Sequence, residues 1–86
     1  MVHTLKTLPA YWDAVERGDK TFEVRRDDRG FQNGDILELV CLMDYPGNMS
    51  EVSHLKPLIR RVSYVLQGGQ FGIEPGYVVM ALEEIS

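Results

Sequence analysis

The stretch "GDKTFEVRRDDRG", Gly18 to Gly30, decides the fold class, because the patterning of the chain changes within it. Before it, "LPAYWDAVER" reads as a helix. Pro9 suits a first helical turn, and Gly18 stands where a C-terminal stop belongs, just after Arg17. Tyr11, Trp12, Ala14 and Val15 fall on neighbouring positions of one helical face, with Asp13, Glu16 and Arg17 opposite. A helix of about nine residues is too short to persist alone in water, so it must dock on something. From Lys20 onward the period is two. Thr21, Glu23 and Arg25 share one strand face, and Lys20, Phe22, Val24 and Arg26 share the other. The apolar pair Phe22 and Val24 is therefore expected to face the core.

Working outward, "RDDRG" and "QNGD" are turn-rich. "DILELVCLMD", Asp35 to Asp44, is apolar on both faces, as a central strand is. "DYPGN" signals a turn, and the polar segment up to Lys56 a loop. "PLIRRVSYVLQ", Pro57 to Gln67, reads as a strand most buried from Val62 to Leu66, and "YVVMALEEI", Tyr77 to Ile85, as the last strand. Glycine-rich "GGQFGIEPG" joins the two. Most links are too short for crossovers. The pattern thus predicts a small α+β or β-barrel domain, mostly antiparallel.

Eighty-six residues make one domain with a modest core, and monomer is the default state. The hydrophobic fraction of 44% excludes a disordered chain. No signal-like leader and no apolar run of membrane-spanning length is present, and a single cysteine forms no internal disulfide. A soluble cytoplasmic protein is expected. The net charge of −4 argues against strong non-specific nucleic-acid binding. The distribution qualifies that: Arg17, Lys20, Arg25, Arg26 and Arg29 cluster, so a local basic groove on an acidic protein is compatible with the sum.

Among candidate sites, a metal centre finds no support. His3, His54 and Cys41 lie far apart without paired ligand spacing, and Cys41 sits in an apolar strand as a core residue would. No cofactor is expected. The glycine-rich loop lacks the following helix that a phosphate-binding loop needs, because Pro75 and Gly76 lead into a strand. It reads first as a connection, and second as a pocket wall together with Gln67 and Gln70. The opening stretch says more. Its eight charges, four of each sign, fit a solvated self-paired strand. Yet Glu23 and Arg25 project side by side from one face, and Lys20 at the helix–strand junction can return its amine toward them. A carboxylate, a guanidinium and an ammonium converging beside a helix end suit an anion or a nucleobase edge, with the Thr21 hydroxyl nearby.

These residues carry a resemblance. Gly18, Lys20, Glu23 and Arg25 match the signature GxKxxExR of the ASCH domains in the PUA-like superfamily, and "GDIL" at Gly34–Leu37 matches the motif opening the next barrel strand. The chain is more closely similar to a compact ASCH-like group of uncharacterised bacterial and phage proteins. His3, Leu5, Lys6, Pro9, Tyr11, Ala14 and Val15 match that group, Trp12 stands where Phe is usual, and "YVLQGGQFGI" matches later in the chain. The resemblance implies a PUA-like β-barrel of about five strands, with the N-terminal helix packed at its mouth. It also implies a cleft lined by His3, Lys6, Lys20, Glu23 and Arg25, with Arg26, Asp28 and Arg29 at its rim. RNA, a nucleotide or a nucleobase is the ligand class it implies. Some ASCH proteins resemble amidohydrolases of a modified cytidine, which use the signature Lys, a Thr on the same strand and a Glu from a later helix. Here Glu23 occupies the position of that Thr. Binding is thus expected over catalysis. If there is catalysis, Lys20 and Glu23 would carry it; a protein-interaction module is the third reading.

Overall fold

A computed structural model describes residues 1–43 and 53–85. The elements run β1 (Val2–Thr7), α1 (Pro9–Glu16), β2 (Phe22–Arg26), β3 (Ile36–Cys41), β4 (Leu58–Gln67) and β5 (Tyr77–Glu84). The "DYPGN" turn and most of the loop expected up to Lys56 lie outside the described residues. The strands form one sheet in the order β1-β3-β4-β5-β2. β1 runs parallel to β3, and the other three pairings are antiparallel. The result is an α+β fold whose five strands curl into a half-barrel around one short helix, mostly antiparallel as expected.

The core follows from alternation. In β1 the residues His3, Leu5 and Thr7 turn inward, and in β3 Leu37, Leu39 and Cys41 do so. Val62 of β4 joins Val78 and Met80 of β5. A bulge between Val62 and Tyr64 shifts the alternation, so Val65 rather than Tyr64 packs on the core. The helix closes one side by burying Trp12 and Val15, and the indole Nε1 donates to the Leu39 carbonyl at 2.9 Å. Each such fully buried side chain contributes roughly 1.5–3 kcal/mol.

One strand is added and one expectation needs correction. β1 is not evident from patterning, because only Leu5 among its three inward positions is apolar. Phe22 and Val24 do not face the core: they are 44% and 49% exposed, and Glu23 between them is 3% exposed. The cause is the pairing partner. Glu23 lies opposite Met80 and Arg25 opposite Val78, both wholly buried, so residues with that parity point inward and Phe22 and Val24 must point out.

The half-barrel is not sealed by backbone ladders. β1 and β2 are the sheet's two edges, and side chains span the seam between them. Arg25 Nη2 donates to the Lys6 carbonyl and Arg29 Nη1 to the Thr4 carbonyl, each at 3.0 Å.

Candidate functional site

The end of α1 places the first site residue. Gly18 adopts φ +85°, a left-handed conformation that costs glycine nothing. Its amide donates to the Val15 carbonyl and the Asp19 amide to Ala14, the paired bonds of a Schellman motif. The turn delivers Lys20 beside β2. There Lys20 Nζ donates to the Phe22 carbonyl at 2.8 Å and to Glu23 Oε1 at 2.6 Å. From the other side, Arg25 Nε donates to Glu23 Oε2 at 2.9 Å. Arg25 Nη2 also reaches Thr7 Oγ1 at 3.3 Å.

Glu23 is thus a buried carboxylate with a cation on each oxygen. Burying it alone would be costly, so Lys20 and Arg25 are conditions for its position. The two cations are not used up. Lys20 has a third N–H, and Arg25 Nη1 makes no hydrogen bond among the described residues.

These groups form the floor of an open pocket of about 650 Å³ between α1, β1 and β2. Tyr11, Phe22 and Val24 supply its apolar walls. The Lys20 ammonium lies 5.6 Å from the Tyr11 ring centroid and 5.1 Å from that of Phe22. A charged floor between exposed aromatic rings can hold a flat polar molecule by its edge and its faces together.

The structure brings together Lys6, Lys20, Glu23 and Arg25. It separates three other expected residues from them. His3 is buried, with its ring edge-on to Phe31 and Nε2 at 2.9 Å from Asp35 Oδ2, and it does not line the pocket. Thr21 is exposed outside the pocket; its carbonyl accepts from the Leu82 amide. Arg26 lies on the outer sheet face, its guanidinium carbon 5.2 Å from the Tyr77 ring centroid. Arg29, expected at the rim, spans the seam instead. Thr7 and Leu8 line the pocket although sequence reasoning missed them. The cue for Thr7 was the alternation His3–Leu5–Thr7, which becomes visible once residues 2–7 are taken as a strand.

Asp35 organises the far end of β1. Burial pushes its carboxyl up, but hydrogen bonds from His3, the Gln32 amide and the N-terminal ammonium outweigh that. With the ammonium's charge, they hold the carboxyl below its ordinary value of 3.8. Among the described residues no group of three or more His, Cys, Asp or Glu is placed to hold a metal ion. No described helix is long and apolar enough to cross a membrane.

The glycine-rich connection proves tightly built. A side chain at Gly68 would overlap the carbonyl oxygens of Glu74 and Tyr77, and Gln70 Nε2 donates back to the Gln67 carbonyl at 2.8 Å. Gly72, Ile73 and Glu74, with Tyr77, Val79 and Val24, border a second pocket of about 370 Å³.

No curated protein gives a significant sequence match to the chain. A family model does match, over residues 2–82, and its description is a domain of unknown function, DUF3850. That span takes in all of β1 to β3 and the whole pocket floor, so the chain belongs to the DUF3850 family.

Proposed function

We propose that this domain is a binding module for RNA, a nucleotide or a nucleobase, with Lys20, Glu23 and Arg25 as its recognition set. One observation carries the reading. A carboxylate acceptor and two cationic donors lie side by side at the floor of an open pocket whose walls are aromatic. A nucleobase edge offers neighbouring donors and acceptors, its faces stack on rings, and its phosphate seeks a cation. Glu23 accepts from an exocyclic amine, Arg25 Nη1 donates to a ring nitrogen or carbonyl, and Lys6 at the mouth meets phosphate. The resemblance to ASCH domains supports the same ligand class, and a cytoplasmic monomer is the setting proposed for it.

Hydrolysis is less well supported. The Lys20 amine donates to Glu23 and to the Phe22 carbonyl, so two of its hydrogen bonds are directed at the protein rather than at a substrate. The Thr7 hydroxyl, the aliphatic one in the pocket, has Arg25 and the Leu5 carbonyl as partners rather than a base. Titration of isotope-labelled protein with nucleosides, nucleotides and short RNAs tests the proposal. Shifts should centre on Lys20, Glu23 and Arg25 and persist at about 0.15 M salt. Signals that stay still, or that move equally in Lys20→Ala, would sink it.

A further inference from the structure

The outer face of the sheet continues the pocket. Residue pairs Phe22–Ala81, Val24–Val79 and Arg26–Tyr77 align across β2 and β5, and Tyr64 and Leu66 of β4 extend the first two rows. Phe22, Val24 and Tyr64 are 44%, 49% and 58% exposed, so this face is an apolar and aromatic strip open to solvent. Two features give it a direction. First, the pockets of about 650 and 370 Å³ share Val24 as a common wall, so they adjoin along β2. Second, a ring-and-cation pair stands at each end of β2. Lys20 lies over Phe22 at 5.1 Å, and Arg26 over Tyr77 at 5.2 Å.

From Phe22 to Arg26 is four strand steps, about 13 Å. A stacked single strand covers that distance in about four nucleotides at roughly 3.4 Å each, and an unstacked one in fewer. A ligand that repeats a flat base and a negative phosphate matches a surface that repeats a ring and a cation. The geometry points to a second subsite, made by Tyr77 and Ile73 of the second pocket with Arg26 over the Tyr77 ring and Glu74 in the same lining, that takes another base of the same strand. The ligand of this domain is then a short single-stranded oligonucleotide rather than a free nucleoside. This rests on the nucleic-acid reading of the Lys20–Glu23–Arg25 pocket and extends it.

The tip residue Phe71 supports the extension. It is 84% exposed and held at φ +54°, unusual for a non-glycine residue, at the head of a tight turn where Gln70 and Ile73 bridge. An aromatic residue kept there at a conformational cost immediately precedes Gly72 and Ile73, which line the second pocket.

The test compares the tightest-binding of the four ribonucleoside monophosphates with a four-nucleotide RNA carrying that base among uridines, by NMR titration. One stacked base is worth roughly 5- to 150-fold in affinity. The tetranucleotide should bind at least about fivefold tighter than the mononucleotide. Tyr77→Ala and the fully surface-located Arg26→Ala should each erase most of that advantage while mononucleotide affinity stays as in the wild type. Arg26→Ala keeps the test decisive if Tyr77→Ala folds poorly. Equal affinity for both ligands, or an advantage that survives in both variants, overturns the subsite and leaves the first pocket standing. No binding of either ligand overturns both. Dimerisation in sedimentation equilibrium that Tyr64→Ser disperses would assign the strip to a second copy and overturn the subsite.

Discussion

Glu23→Gln is the most informative single change. The carboxylate is 3% exposed and lies 2.6 Å from the Lys20 amine and 2.9 Å from Arg25 Nε. Gln keeps the shape and one acceptor oxygen but removes the charge, leaving two cations facing each other in a partly buried site. At an effective dielectric near 20, each ion pair is worth about 4 kcal/mol before desolvation is subtracted. Removing one partner of a buried ionic group typically costs 3–5 kcal/mol. The lower end applies here, since Lys20 and Arg25 retain 17% and 26% side-chain exposure and can rehydrate. About 3 kcal/mol is a large share of the roughly 4–13 kcal/mol expected for a domain of this size. It should lower the melting temperature by roughly 12–24 °C in a thermal melt followed by circular dichroism. A companion variant, Lys20→Met with Glu23→Leu and Arg25→Met, replaces the whole ionic group by apolar side chains. It should regain most of the lost stability, because apolar replacements of buried ion groups are often neutral or better. It should also bind no ligand. A Glu23→Gln melt within about 1 kcal/mol of wild type would refute the view of Glu23 as the charge hub of the site. So would a triple variant that binds normally.

Three further outcomes follow from separate parts of the structure. Gly18→Ala forces a side chain into φ +85° and should cost roughly 1–2 kcal/mol in urea denaturation, with Gly18→Asn losing less. Asp35 has a folded-state pKa below its unfolded value of 3.8, so its stabilisation is complete above that value and drains away as pH falls through the lower folded one. Asp35→Asn should therefore be less stable than wild type at neutral pH, and the two melting curves should converge at the acid end. Phe71→Asn relieves the left-handed strain at the turn tip. It should raise stability by about 0.5–1 kcal/mol while weakening the tetranucleotide more than the mononucleotide.

Much of this was legible in the chain before any coordinates. The helix runs from Pro9 to Glu16, one residue short of the expected Arg17, and it was legible because Pro9 and Gly18 act through local backbone geometry alone. The convergence of Lys20, Glu23 and Arg25 was visible from i, i+2 spacing beside a helix end, since that too is local. What alternation could not supply was the choice of face. A strand reading assigns Phe22 and Val24 to one side and Glu23 and Arg25 to the other. Which side is inward depends on Val78 and Met80, more than fifty residues downstream. Hydrophobicity alone favours burying Phe22, and it fails because pairing with β5 turns Glu23 and Arg25 to the face of the buried Met80 and Val78. β1 was hidden for a related reason: His3 and Thr7 occupy inward positions through partners elsewhere, Asp35 and Arg25, that no local pattern announces. The ASCH resemblance implies a place for His3 in the cleft, whereas its geometry ties it to Asp35.

The pairing of β2 with β5 has a consequence for the birth of the protein. Every residue of the pocket floor lies in the first third of the chain, yet the strand that fixes their inward orientation is the last to be synthesised. While a ribosome is still making Gly68 to Gly76, β2 has no neighbour, and Glu23 has no reason to be buried. Such non-local pairing implies slow, late assembly on the millisecond-to-second scale rather than stepwise folding from the N-terminus. A nascent chain stopped before Tyr77 would carry Lys20, Glu23 and Arg25 without the strand that turns Glu23 and Arg25 inward.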